Sequence, residues 1–157
     1  MTLAIRAEQA PNPDSRVLLD MDHFDATGMP RIKLDWRLTG QDVDSVRGLV
    51  DALGKAMIAR DVGRVEMADW LQDPTTGWVT DANVSAHPLG GYHHMGTTRM
   101  HDDPRHGVVD RECRVHGMRN LYMAGSSVFT TAGSATPTLM IVALALRLAA
   151  HLQDSGM

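Results

Sequence analysis

Arg31-Ile32-Lys33-Leu34-Asp35-Trp36-Arg37-Leu38-Thr39-Gly40-Gln41-Asp42-Val43 is the stretch in which the hydrophobic period of the chain changes. From Arg31 to Leu38 charged and apolar side chains alternate, the period-two pattern of a strand with one buried face. Arg16 to Asp20 is the natural partner strand, and Asp25-Ala26-Thr27-Gly28 with Pro30 separates the two. Those residues set turns through side-chain bonding, positive φ and fixed φ, so an antiparallel hairpin is predicted. Downstream, Thr39 and Asp42 have the spacing of a capping box. Val43, Val46, Val50, Leu53 and Met57 then recur at helical intervals until Gly63 stops the pattern. The spacing predicts an amphipathic helix laid on the sheet, and the fold class is α+β.

From Asp73 to Pro104 the periodicity fails and Gly, Pro, Thr and His dominate, which predicts a long irregular segment of the kind that carries function. Order returns at Val108-Val109, and Leu121-Tyr122-Met123-Ala124 reads as a short buried strand closed by Gly125. Thr136 suits an N-cap and Pro137 the first helical position. Leu139 to Leu152 is apolar nearly all round, which predicts a deeply buried helix. The boundary between the two styles of sequence divides the chain at residues 1–86 and 87–157, and no internal repeat crosses it.

The composition excludes several classes. Across 157 residues, 15 basic side chains oppose 19 acidic ones without a long run of either sign, which argues against a nucleic-acid partner. Cys113 is the single cysteine, so no intramolecular disulfide or thiolate metal set forms, and a reducing, cytoplasmic setting is expected. Met1 to Asn12 lacks the basic and apolar regions of a signal peptide. The most apolar run, Leu139 to Leu148, is short for a bilayer and contains Arg147, so no membrane span is expected.

Two constellations carry chemistry. Gly90-Gly91-Tyr92-His93-His94-Met95-Gly96-Thr97-Thr98-Arg99-Met100 sets two histidines among glycines, where backbone can approach a ligand closely. Histidine exchanges protons near neutral pH, although loop histidines are also commonly satisfied by backbone carbonyls. The second is Gly125-Ser126-Ser127-Val128-Phe129-Thr130-Thr131-Ala132-Gly133-Ser134-Ala135-Thr136-Pro137-Thr138, a small-residue loop that ends at a helix start. Free amides at a helix start form an anion site. A strand-loop-helix packed for its own sake satisfies the same spacing.

These stretches resemble the C-terminal signature of the glucose–methanol–choline oxidoreductases. The signature is a His-x-x-Gly-Thr-x-Arg-Met segment, matched by His93 to Met100, then Asn-Leu-Tyr-x-Ala-Gly-Ser-Ser, matched by Asn120 to Ser127, then a small-residue loop before Pro-Thr-Leu, matched by Gly133 to Leu139. Glu8 to Val17 is also similar to the family's entry into its substrate-domain sheet. The resemblance implies that residues 1–86 belong to a substrate-binding domain. It further implies that residues 87–157 hold an active-site loop and return to an FAD-binding domain. The implied activity is oxidation of a CH–OH donor, an alcohol or sugar, with FAD taking the hydride and His93 taking the hydroxyl proton. Gly125, Ser126, Thr136, Pro137 and Thr138 are the implied cofactor contacts.

Two positions depart from the family pattern. Where the family carries Asn or His directly before the helix-start proline, this chain has Thr136, which offers one hydroxyl and reads more readily as a cap than as a second catalytic group. No Gly-x-Gly-x-x-Gly occurs, so the element that cradles a dinucleotide pyrophosphate is missing from residues 1–157. The chain therefore reads as one piece of a larger or split enzyme that needs a complementary FAD-domain chain or self-association. The alternative is a non-catalytic remnant that binds a partner or small ligand. A metal site is disfavoured because His87, His93, His94, His101, His106 and His116 lack ligand spacing on a helix. A serine hydrolase is disfavoured because Gly125-Ser126-Ser127-Val128-Phe129 lacks the second glycine of a nucleophile elbow.

Overall fold

The computed structural model describes residues 5, 7–73, 75, 77–78, 93–133 and 135–156. The chain forms two compact units, residues 1–90 and 91–157. Each has its own apolar core.

In the first unit, β1 (Arg16–Phe24) and β2 (Pro30–Asp35) form the predicted antiparallel hairpin, with Arg16 opposite Asp35 and Asp20 opposite Arg31. Asp25 closes the turn: its Oδ1 accepts from the Thr27 amide at 2.8 Å, the Thr27 hydroxyl at 2.7 Å and the Met29 amide at 3.0 Å. These donors, the Thr27 hydroxyl first, hold the carboxyl below its usual range. The second strand stops at Asp35 and does not run on to Leu38. Side chains of the preceding segment replace the ladder there: Gln9 Nε2 and Asn12 Nδ2 donate to the Arg37 carbonyl at 2.8 and 3.1 Å, and the Arg37 amide donates to Ser15 Oγ at 3.1 Å.

The predicted helix is α1 (Gly40–Ala59), and Thr39 is its N-cap. Asp42, buried, accepts from the Thr39 amide at 2.6 Å, the Thr39 hydroxyl at 2.9 Å and the Ala10 amide at 2.6 Å. One carboxylate thus caps the helix and ties the incoming chain to it. Val43, Val46 and Val50 form the core stripe, but α1 is not laid on the sheet. The stripe packs on Leu71 of α2 (Asp69–Gln72) and on Ile5, Val65, Met67, Trp70 and Trp78. Val17, Leu19, Ile32 and Leu34 remain exposed, so the expected buried face of the hairpin is absent. The segment returning past α1 supplies two tryptophans instead, with ring centroids 5.8 Å apart.

The second unit is mostly irregular, apart from a 3-10 turn (Ser126–Val128) and α3 (Thr138–Asp154). Val109, Cys113, Val128 and Leu148 are its buried core. Single bridges pair Met100 with Val109, Val109 with Val115 and Arg114 with Tyr122. The expected buried strand at Leu121 to Ala124 is therefore only a bridge, and Leu121 is exposed. Cys113 has a φ of 64°, a conformation that no ladder continues through.

Helix α3 forms as expected but is not deeply buried. Leu144, Leu148 and Leu152 meet the core at i, i+4 and i+8, while Leu139 and Leu146 are 78% and 67% exposed. An apolar circumference with one covered stripe is a surface that its own unit does not fill. The helix also begins one residue later than expected: Pro137 is the N-cap, no side chain caps the helix, and Thr136 lies outside it and exposed. The Pro137 carbonyl starts the ladder by accepting from the Ile141 amide at 3.0 Å. Among the described residues no helix is long and apolar enough to cross a membrane.

Candidate functional site

Residues 94–100 run alongside the 3-10 turn, and a row of hydrogen bonds joins them. The amides of Gly96, Thr98 and Met100 donate to the carbonyls of Ser126, Ser127 and Val128 at 3.1, 2.9 and 3.0 Å. Gly96 has a positive φ and Thr97-Thr98 form a turn, so the row joins two irregular segments and is not a strand ladder. Side chains reinforce the row: Thr98 Oγ1 donates to Ser127 Oγ at 2.7 Å, and Ser126 Oγ donates to the His94 carbonyl at 3.2 Å.

Two glycines make the approach possible. Gly96 has a φ of 81°, and a Cβ there would lie 3.3 Å from the Phe129 carbonyl oxygen. Gly125, with φ 108° and ψ −173°, occupies a region open to glycine alone and redirects the chain into the turn. A Cβ built on Gly125 would meet nothing within 4 Å, so backbone is presented to open space there.

The structure thus brings the segment carrying His93 against Ser126, Ser127 and Val128, pairing the two constellations separated in sequence. His93 itself is exposed. Pro137 is buried, and Thr136 and Thr138 are exposed at the start of α3. Among the described residues no hydrogen bond ties Thr136 or Thr138 to the row. Gly90, Gly91, Tyr92 and Ser134, part of the quoted motifs, lie outside the described residues, as does His87. Thr98 and Ser127 were not singled out as site residues. They are 29 positions apart, and no local periodicity reveals that their hydroxyls meet.

Below the row the chain is held by buried and charged contacts. Gly107 is packed so closely that a Cβ there would lie 2.6 Å from His101 Cβ and 2.8 Å from the Arg99 carbonyl oxygen. His101 Nδ1 accepts from the Asp103 amide at 2.9 Å, and His116 Nε2 sits 2.9 Å from the His101 carbonyl oxygen. His101 thus serves a local turn, and His116 ties its own segment back to it. Among the described residues no group of three or more His, Cys, Asp or Glu is placed to hold a metal ion. An open cleft is lined by Met100, His101, Asp102 and Arg111, and the exposed Arg111 and Asp102 side chains form a 2.6 Å ion pair there. Arg105 binds Asp103 through both its guanidinium and its amide and holds that carboxyl down at about 2. The one buried side-chain polar atom without a partner, among the described residues, is Arg99 Nε.

A family model described as GMC oxidoreductase matches residues 11–145. A 2-methyl-1,2-propanediol dehydrogenase of Mycolicibacterium austroafricanum is 31% identical over 89% of this chain and 23% of its own length. A 6'''-hydroxyparomomycin C oxidase of Streptomyces lividus is 32% identical over 90% of this chain and 24% of its own. A fructose dehydrogenase large subunit of Gluconobacter japonicus is 30% identical over 90% of this chain and 23% of its own. The chain spans about a quarter of the length of these curated relatives.

Proposed function

This chain belongs to the glucose–methanol–choline oxidoreductase family, and on that premise we propose that it is the substrate-facing, C-terminal portion of an FAD-dependent oxidoreductase of alcohols or sugars. The observation that carries the reading is the row of bonds between residues 94–100 and 126–128. It joins a histidine loop to a glycine-opened turn, which are the two components the reaction needs at one place: a proton acceptor and a surface that lets a planar ring approach.

The residues present fit part of a flavin site. Gly125 offers backbone with open space beside it, and the start of α3 has no side-chain cap, so its amides are available to an electron-rich ring edge. No element here fits the pyrophosphate, since the glycine-rich motif for it is missing. We assign residues 1–86 to a substrate-binding domain and 87–157 to the active-site loop and the return to the FAD domain. What completes the site is an FAD domain, in the same larger polypeptide or in a complementary one, or a second copy of this chain. FAD bound there would supply a two-electron acceptor for the hydride on the substrate carbon that bears the hydroxyl. His93 takes the hydroxyl proton as the hydride leaves, so that a neutral carbonyl is released and no protonated carbonyl builds up. Thr136 does not cap α3, and the exposed hydroxyl is left to steer substrate or cofactor.

The His93→Ala substitution in the assembled flavoprotein tests this. Single-turnover flavin reduction by an alcohol or sugar donor should slow by about 10²–10⁴-fold, the usual contribution of a positioned base. An unchanged rate removes His93 from the reaction. Failure of the chain to bind FAD alone, as a mixture with the missing portion, or as an oligomer supports the second reading, a non-catalytic binding module.

A further inference from the structure

His93 lies at the end of the bonded row, and its placement depends on what holds that end. The rungs at Met100, Thr98 and Gly96 are amide-to-carbonyl bonds, made by backbone whatever the side chains are. The rung next to His93 differs. It is the bond from Ser126 Oγ to the carbonyl of His94, at 3.2 Å, and it depends on one hydroxyl. Resting on the assignment of His93 as proton acceptor, we propose that Ser126 is a positioning residue: its hydroxyl fixes the His94-Met95 peptide against the turn and so limits where the neighbouring His93 imidazole stands.

The chemistry favours serine at this place. The residue follows Gly125, whose φ of 108° turns the chain so that the Ser126 side chain faces the incoming segment. Alanine there retains the turn but leaves the His94 carbonyl without this donor. Threonine retains the donor and adds a methyl group. The Thr98–Ser127 hydroxyl pair, two rungs further on, ties the same segments where backbone bonds already hold them. Loss of that pair should reach His93 weakly, which makes it the internal comparison.

Two measurements test the role. In the first, amide hydrogen exchange of this chain is followed by NMR, without flavin. Ser126→Ala should speed exchange at Gly96 while Met100 is unchanged, Ser126→Thr should restore the native rate, and Ser127→Ala should leave Gly96 unchanged. Equal exchange at Gly96 in the native chain and Ser126→Ala overturns the inference, whatever the enzyme does. In the second, steady-state kinetics of the assembled flavoprotein should show kcat lowered about five-fold in Ser126→Ala, the size set by one ordinary hydrogen bond, with KM little changed and rescue by Ser126→Thr. A matched fall in kcat and melting temperature that threonine fails to rescue would assign Ser126 a merely structural role. If Ser126→Ala leaves kcat unchanged while His93→Ala abolishes it, the positioning role fails and the base assignment stands. If His93→Ala also leaves kcat unchanged, both fall together.

Discussion

Asp103 shows how a single half-buried carboxylate is tuned by its immediate neighbours. Arg105 supplies a guanidinium contact at 2.6 Å and an amide at 2.9 Å, and the carboxyl titrates at about 2 in place of its ordinary 3.8. A group depressed in the folded state contributes stability that is present above its unfolded value and lost as the pH falls toward the folded one. The native chain should therefore lose melting temperature between pH 4 and pH 2 more steeply than Asp103→Asn, measured by circular dichroism at low salt. Equal slopes would show that the Arg105 contact does not persist in solution. At this scale the sequence is uneven. The Asp25 and Asp42 turns and caps were legible because their partners are two to four residues away. The Thr98–Ser127 pair was not, because it joins residues 29 apart.

Helix α1 is the element whose local and tertiary determinants coincide most closely. Its cap and its Val43-Val46-Val50 stripe follow from the pattern, whereas its end at Ala59, short of Gly63, and what covers the stripe do not. Asp42 stands at the junction, with three donors converging on a buried carboxylate. Asp42→Ala should cost about 2–3 kcal/mol of unfolding free energy, combining a lost cap with an unsatisfied Ala10 amide, as read by urea titration. Asp42→Asn, which retains an acceptor, should cost less. A cost below about 0.5 kcal/mol for the alanine variant would mean that water replaces the carboxylate and that the segment around Ala10 is held by other bonds. The hairpin illustrates the opposite case. Its register follows from the turn chemistry and the alternation, but alternation only states that a face is available for burial, and the two described strands leave it bare.

Across the whole molecule the unfilled surface is concentrated on α3 and the hairpin, where Leu139, Leu146, Leu19 and Ile32 are each more than half exposed. Apolar area of this kind is covered by a partner or drives association. Purified alone, the chain should migrate above its 17.2 kDa monomer mass, and Leu146→Glu should return it toward monomer while weakening assembly with an FAD-domain polypeptide. A native chain that is monomeric and binds no such polypeptide would show that α3 seeks no partner. The sequence by itself determined the hairpin, the presence of both long helices, the α+β class and the family, because these rest on periodicity, turn residues and motif order along the chain. Only the tertiary structure decided that α1 packs on the Leu71 segment and not on the sheet, that Leu121 to Ala124 is a bridge and not a strand, that Pro137 and not Thr136 caps α3, and that the His93 loop is bonded to Ser126 and Ser127. Those outcomes depend on which distant surfaces compete for the same apolar stripe or carbonyl, and such competition leaves no mark in the local order of residues.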